Sequence, residues 1–251
     1  METDSETVIR VENLTAGYGD AAIIKNINFE VKAGEVFIVL GGSGCGKSTL
    51  LKHMIGLLPP VTGKVLIEGK DIVSAHGRER IDILRRIGVM YQNGALFGSM
   101  DLRENICLVL EEFTDLPRDA MEFIAQMRLK VVGLEGSAYK MPSDLSGGMR
   151  KRAAIARAMA LDPKILFLDE PSAGLDPITS SQLDDLIIEL SRSLGITFVV
   201  VTHELPSIYK IADRVIMLDK NTKSIVATGK PDDLRDNSDN PWVRQFFNRE
   251  S

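Results

Sequence analysis

The 251-residue sequence has few cysteines, no excess of basic residues and no long apolar run. It has two cysteines, Cys45 and Cys107, and no Cys-x-x-Cys pair, so neither a disulfide framework nor a zinc site is indicated. Asp and Glu number 35 against 30 Lys and Arg, and the net charge of −5 argues against nucleic acid as a partner, because a nucleic-acid-binding surface is basic. No apolar run approaches the ~18 residues of a membrane span.

The N-terminal segment, residues 1–7, is acidic and polar and does not resemble a signal peptide. Hydrophobic residues make up 44% of the chain, which is enough for a proper core. The length fits one large α/β domain or two small ones, and neither an internal repeat nor a long linker divides it. We therefore expect a soluble, intracellular protein that would serve a membrane only by docking on another chain.

The segment Gly41–Ser48 fits the phosphate-binding pattern G-x-x-x-x-G-K-[ST]. A buried-strand run, 36–40, precedes it, and a helix-compatible segment follows. Glycines let backbone N–H groups turn toward a phosphate, and the helix N-terminus adds the positive end of its dipole. Lys47 supplies a cation for the outer phosphates, and Ser48 offers Mg²⁺ a hydroxyl oxygen. A glycine-rich turn with an incidental lysine is the alternative, which the strand and helix on either side disfavour.

Polar residues follow three further apolar strand runs. Asp169 and Glu170 end one of them, where Asp169 suits Mg²⁺ or its water shell and Glu170 suits activation of a water as general base. An acid pair that caps a turn is the alternative. Gln92 and His203 follow two other runs, and each alone would be interpreted as structural. The ends of strands are nevertheless where an α/β protein places its site residues.

A second glycine-rich helix start lies at Leu145–Met149, which reads Leu-Ser-Gly-Gly-Met, ahead of a predicted helix over 150–161. It follows a mostly helical insertion, 101–132. By the same physics this N-terminus can bind an anion. Since the chain has one phosphate loop, the second helix end makes sense if it serves the phosphate bound to another copy.

Weaker patterns predict local structure elsewhere. A charged helix is expected over 77–86, with Ile81 and Leu84 facing inward. Residues 16–20 are predicted to form a turn that carries Tyr18. On residue type alone Tyr18 is a core aromatic, although a ring upstream of a phosphate loop also suits stacking on adenine.

The chain ends in a polar and then aromatic tail, residues 237–251. Trp242 and Phe246 are four apart and therefore share one helix face. Packing on the protein's own domain is favoured over docking on a partner subunit.

Taken in order, these motifs resemble the nucleotide-binding subunit of an ABC transporter over nearly the whole chain. The resemblance implies an α/β P-loop NTPase fold with a RecA-like core, an antiparallel β subdomain and a helical subdomain at about 98–150. It implies a single ATPase domain, 8–247. Leu145–Met149 matches the LSGGQ signature, 166–170 the Walker B strand and 172–176 the D-loop.

The resemblance also implies residue roles. Tyr18 matches the adenine-stacking aromatic, which reverses the interpretation as a core residue, and Gln92 matches the glutamine that touches Mg²⁺ and couples to the membrane subunit. The implied catalytic residues are Lys47, Glu170 as base and His203 as switch histidine. The implied Mg²⁺ ligands are Ser48, Gln92 and Asp169. Residues implied to contact ATP are Tyr18, Gly41, Gly42, Ser43, Gly44, Cys45, Gly46, Lys47, Ser48, Thr49, Gln92, Ser146, Gly147, Gly148 and Asp169.

The family's mechanism implies the partners. Two copies would sandwich two ATP molecules, each between one Walker A loop and the opposite signature. Hydrolysis would open the homodimer, and the motion would pass through the helical subdomain to an integral membrane permease. The subunit would lie on the cytoplasmic face of the inner membrane.

One departure from the family pattern, Met149 in place of the signature glutamine, points to a subfamily. Together with 91–97, 141–149 and 176–180, it resembles the ATPases of Mla-type (MCE) lipid transporters. These work with an MCE-domain protein and often a STAS-domain protein. An amino acid or metal importer is the alternative, but such importers usually keep the glutamine. Cys45 sits at a helix N-terminus, which favours thiolates, so a redox role is a further and weaker alternative.

Overall fold

The computed structural model of the protein describes residues 6–18 and 21–248. The strands in these ranges are β1 Thr7–Tyr18, β2 Ala21–Lys32, β3 Val36–Gly41, β4 Thr62–Ile67, β5 Lys70–Asp71, β6 Ile87–Met90, β7 Ile165–Asp169, β8 Thr197–Val201, β9 Arg214–Asp219 and β10 Ser224–Gly229. The α-helices are α1 Lys47–Met54, α2 Gly77–Leu84, α3 Leu102–Phe113, α4 Arg118–Val131, α5 Gly147–Ala158, α6 Pro177–Leu194, α7 Leu205–Ile211, α8 Pro231–Asn237 and α9 Pro241–Asn248.

The larger sheet has six strands in the order β10-β9-β3-β8-β7-β6. All neighbours in it are parallel except β10, which pairs antiparallel with β9 at one edge. Every residue of β3 and β8 is buried, as expected of central parallel strands covered on both faces. The ends of β3, β8, β7 and β6 therefore lie side by side along one edge.

The two faces of this sheet pack on different layers because side chains alternate along a strand. Val36, Ile38 and Leu40 of β3 pack in a core cluster with residues of α3 to α7. Phe37 and Val39 pack in a second cluster with the smaller, antiparallel sheet, whose order is β2-β1-β4-β5, and with α1. These layers confirm the predicted α/β fold, a parallel core with an antiparallel β layer.

Helices α3, α4 and α5 occupy the interval between β6 and β7 where the sequence predicts a helical subdomain. Asp101 caps α3 by accepting from the Glu104 N–H, while the Glu104 side chain accepts from the Asp101 N–H. Pro117 precedes α4, as predicted. None of the helices in the described ranges combines the length and the apolar character needed to cross a bilayer.

Two local predictions were wrong. Residues 16–18 continue β1 and do not form a turn, because Tyr18 still pairs with Ala21 of β2; residues 19 and 20 lie outside the described part. Ile81 is 42% exposed, whereas Ile83 is fully buried. Ile83 and Ile87 are buried in the second core cluster and Leu84 packs against it, so the inward face of α2 is offset from Ile81.

The C-terminal helix α9 packs on the chain's own domain. Val243 and Phe247 are buried in the core cluster, and Phe246 packs against it. The Tyr209 hydroxyl donates to the Phe247 carbonyl oxygen at 3.1 Å. Trp242 remains 36% exposed, so the two aromatics of the predicted face differ in burial. Residues 249–251 of the predicted tail lie outside the described part.

Candidate active site

The phosphate-binding loop connects the end of β3 to the start of α1. Gly46 precedes the first helical residue with φ 102°, and a Cβ there would lie 2.6 Å from Ile24 Cγ2, so a side chain is excluded on two grounds. The Lys47 ammonium donates to the carbonyl oxygens of Gly41, at 2.9 Å, and Gly42, at 3.2 Å. The three loop residues 42–44 are exposed. The backbone of the loop is therefore exposed to solvent, and the Lys47 ammonium lies against its first two residues.

Ser48 and Asp169 meet across the sheet edge. The Ser48 hydroxyl donates to Asp169 Oδ1 at 3.5 Å, although the two residues belong to α1 and β7. Burial raises the pKa of Asp169, and the charge of Glu170 raises it further. A divalent cation between hydroxyl and carboxylate would favour the ionised form of Asp169 and relieve this cost.

Glu170 and His203 form a second pair at the same edge. His203 Nδ1 lies 2.8 Å from Glu170 Oε1. Glu170 is 8% exposed, and its other carboxylate oxygen, Oε2, is buried without a hydrogen-bond partner among the described residues. Its φ of 46° is in the left-handed region, at a strain of about 1–2 kcal/mol. Strain together with an unpaired buried oxygen is typical of a functional carboxylate.

The glycine-rich start of α5 lies apart from this pair. Ser146 caps the helix by accepting from the Met149 N–H at 3.3 Å. A Cβ on Gly148 would lie 2.4 Å from Thr179 Cγ2, so the close approach of α5 and α6 requires glycine. Ser146 and Gly147 are exposed, and no hydrogen bond in the described ranges joins them to the phosphate loop. This helix end is therefore open to another molecule.

Lys151, on α5, is a buried site residue that no sequence pattern predicted. The residue is 8% exposed, and its ammonium donates to the carbonyl oxygens of Gln92, at 2.6 Å, and Glu170, at 3.1 Å. Burial lowers the pKa of Lys151, while the charges of Glu170 and Asp169 raise it. Its neighbours in sequence are both arginines, a run that is typical of a solvated helix face, so only the packing reveals its position.

Three predicted site residues have different outcomes. The Gln92 side chain is exposed and makes no hydrogen bond in the described part, so its contact with Mg²⁺ stays a prediction. The ring of Tyr18 lies outside the described residues. Cys45 is 1% exposed, and burial raises the pKa of its thiol despite the nearby Lys47, so the expected preference for thiolate is wrong.

The residues present fit a magnesium nucleotide. Nowhere in 6–18 and 21–248 do three His, Cys, Asp or Glu side chains form a metal-binding group. Mg²⁺ is commonly held by one or two protein oxygens together with phosphates, and Ser48 with Asp169 supplies such a pair beside the phosphate loop.

Comparison with known proteins agrees with this geometry. Residues 24–173 match the family model described as ABC transporter. The chain is 41% identical over 240 residues to "Probable ribonucleotide transport ATP-binding protein mkl" of Mycobacterium leprae, covering 96% of this chain and 68% of that one. It is 39% identical over 247 residues to "Intermembrane phospholipid transport system ATP-binding protein MlaF" of Haemophilus influenzae, covering 98% and 92%.

A solved structure has the same fold. The ATP-binding cassette MJ0796, a dimer in a post-hydrolysis state bound to ADP and Pi, superposes with a TM-score of 0.79 at 31% identity. The match covers 88% of this chain and 98% of that one.

Proposed function

The chain belongs to the ABC transporter family of ATP-binding proteins, and from this premise we propose that it hydrolyses ATP to drive phospholipid transport across a bacterial envelope. One observation carries the proposal for hydrolysis: the Glu170–His203 pair lies on the same sheet edge as the Ser48–Asp169 pair and the phosphate loop. The similarity to MlaF, which covers nearly all of both chains, supports phospholipid as the cargo.

Each side chain has a defined task in the proposed reaction. Lys47 and the N-terminus of α1 bind the phosphates of ATP, and Ser48 and Asp169 hold Mg²⁺. Mg²⁺ would neutralise charge on the phosphates as the terminal bond breaks. Glu170 accepts the proton of the attacking water, and its Oε2 has no other hydrogen-bond partner among the described residues. With a proton on Nδ1, His203 donates to Oε1 and keeps the carboxylate oriented.

A second copy would complete each site. The exposed N-terminus of α5, with Ser146 and Gly147, presents free N–H groups and a positive dipole end. We assign it to the terminal phosphate of the ATP bound by the partner subunit. The dimeric state of MJ0796 supports this arrangement. Met149 removes one side-chain amide from the site, which is worth roughly 0.5–1.5 kcal/mol, and leaves the backbone donors in place.

We assign a surface groove of about 360 Å³ to the membrane permease. It lies between the segment after α1, helix α2, strand β6 and helices α3 and α5, and its apolar lining includes Leu57, Tyr91 and Phe113. Tyr91 directly precedes Gln92, so a permease segment seated there would contact the loop that leads to the active site. The groove is lined by residues of both the parallel core and the helical insertion. A permease segment bound there would therefore move when these two parts move relative to each other.

The proposed complex lies at the cytoplasmic face of the inner membrane and includes an MCE-domain protein, with a STAS-domain protein as a further partner. Similarity to MlaF supports the envelope system. Ribonucleotide transport is the second candidate function, because the mkl relatives carry that description. This chain spans only about two thirds of the length of those relatives, whereas it spans about nine tenths of MlaF.

A gentle-detergent pull-down of the tagged chain from its own cells tests this function. Mass spectrometry would identify the proteins and lipids that are captured. A permease with an MCE-domain protein and enriched phospholipid is the expected result. Capture of a permease with a soluble solute-binding protein would keep the ATPase and overturn the lipid assignment.

A further inference from the structure

The buried lysine Lys151 lies between the loops that carry Gln92 and Glu170. Its Nζ donates to the carbonyl oxygen of Gln92 at 2.6 Å and to that of Glu170 at 3.1 Å. Both acceptors are main-chain atoms that follow adjacent strands, β6 and β7. One ammonium on α5 therefore joins the helix that starts at the signature to two loops of the active site.

Glu170 is held by four hydrogen-bond contacts. Its N–H donates to the Val201 carbonyl oxygen at 2.8 Å, and its carboxylate contacts His203 at 2.8 Å. Its carbonyl oxygen accepts from Lys151 at 3.1 Å and from the Ala173 N–H at 3.2 Å. Its φ of 46° is a conformation that residues with a Cβ rarely adopt, so it persists only where the surroundings impose it. Removing Lys151 leaves the Glu170 carbonyl oxygen with the Ala173 N–H alone, and we expect the strained backbone to relax and the carboxylate to turn.

We propose that Lys151 is a positioning residue for ATP hydrolysis, which holds the Glu170 main chain and the Gln92 loop in the geometry set by helix α5. The inference rests on the proposed function, in which Glu170 is the general base. The buried ammonium is bonded to main-chain oxygens, so its influence on the reaction passes through Glu170. Arg150, its exposed neighbour on the same helix, makes no side-chain hydrogen bond to either oxygen within the described ranges.

Because α5 begins at the signature, this contact gives a route between the two copies. A phosphate that binds the α5 N-terminus of one copy acts on a helix whose second turn holds that copy's own Glu170. Through Lys151, ATP bound in the partner's site would thus change the position of Glu170 in the copy that carries this lysine. A shift of α5 would move the Lys151 ammonium, and it would change the hydrogen bonds to the Gln92 and Glu170 carbonyl oxygens together.

The test measures steady-state ATP hydrolysis and ATP binding by the full chain purified with its membrane partner. Lys151→Met keeps the length of the side chain and removes its donors. We expect kcat to fall at least tenfold while the Kd for ATP changes less than twofold, because Lys47 and Ser48 are untouched. Lys151→Arg keeps a long cation and should recover most of kcat. Lys130→Met, at a side chain that is 67% exposed on α4, is the matched control and should retain wild-type kcat.

A double variant separates positioning from a general structural effect. If Lys151 acts through Glu170, Lys151→Met should not further reduce the residual activity of Glu170→Gln. An equal loss in both backgrounds would show that the lysine acts elsewhere and would overturn the inference. Urea unfolding accompanies each variant, and Lys151→Gln, which keeps a neutral donor, replaces Lys151→Met if the latter does not fold.

The outcomes distinguish this inference from the function on which it rests. Wild-type kcat in folded Lys151→Met, or a loss of ATP affinity equal to the loss of kcat, overturns the inference alone, provided that Glu170→Gln is slowed as expected. No ATP hydrolysis by the wild-type complex, or full activity of Glu170→Gln, overturns the proposed function itself.

Discussion

His203 Nδ1 lies 2.8 Å from Glu170 Oε1, although 33 positions separate the two residues in the chain. They meet because β7 and β8 are parallel neighbours, with Asp169 opposite Val201 in the register. The Glu170 N–H also donates to the Val201 carbonyl oxygen, which extends the ladder by one bond. The sheet therefore delivers the proposed base and the histidine that orients it to the same place.

Replacing Glu170 by glutamine should leave ATP binding intact and slow hydrolysis by roughly 10²–10⁴, the usual range for loss of a general base. ATP should then trap a closed dimer. Turnover by a phosphate-release assay and dimer formation by size-exclusion chromatography with ATP check both effects. Unchanged hydrolysis would refute Glu170 as the base.

Replacing Lys47 by alanine should weaken ATP binding itself. The ammonium bonds the carbonyl oxygens of Gly41 and Gly42, so its loss removes a cation from the phosphates and a brace from the loop. Titration with a fluorescent ATP analogue measures the affinity, and circular dichroism checks the fold. Normal affinity in a folded variant would show that the loop does not bind phosphate as we propose.

The proposed permease groove predicts that substitutions at two equally exposed apolar residues differ in their effect on permease binding. Leu57 lines the groove and is 56% exposed, whereas Val61 is 57% exposed and is not part of the lining. Leu57→Asp should abolish co-purification of the permease because it places a charge in an apolar contact. Val61→Asp should not. Equal capture by both variants would place the permease contact elsewhere.

Asp184 should make stability depend on pH. It is 3% exposed, accepts from the Ser207 hydroxyl at 2.9 Å, and burial raises its pKa from 3.8 to about 6. Because its folded-state pKa is the higher one, the folded protein holds the proton more tightly. The free energy of unfolding therefore falls as pH rises from about 4 to 6, and Asp184 accounts for a loss of up to roughly 3 kcal/mol.

Asp184→Asn removes this ionisation, so it should stabilise the protein at pH 8 and have a smaller effect at pH 5. Urea unfolding at the two pH values measures the difference. Asp185→Asn is the matched control: that side chain is 65% exposed and pairs with Lys210, a contact worth about 1 kcal/mol or less. A gain for Asp184→Asn that is equal at both pH values would contradict the assigned pKa.

The aromatic residues of α9 should differ in their effect on stability. Phe247 is 3% exposed, and truncating a buried phenylalanine to alanine costs about 3–5 kcal/mol. Trp242→Ala should cost about 1 kcal/mol or less, because the ring is partly exposed. Thermal unfolding compares the two. If Trp242→Ala keeps its stability but loses the dimer or the complex, the tail contacts a partner as well as its own domain.

Several features were determined by the sequence itself. The phosphate loop is a local structure: its glycines, the apolar run before it and the helix after it lie within one short segment, so its geometry follows from its own residues. The positions of Asp169 at the end of one buried strand and of His203 just past the end of another could be predicted for the same reason. The family motifs predicted a role for each of these residues, and those roles are what the variants above test.

Tertiary structure alone decided which of these segments meet. The order β3-β8-β7-β6 places Ser48, His203, Glu170 and Gln92 along one edge, and no local pattern encodes that order. Lys151 illustrates the limit most clearly, since a lysine between two arginines has the composition of a solvated helix face. It is buried because α5 packs against loops far away in the chain, and such packing depends on the whole fold.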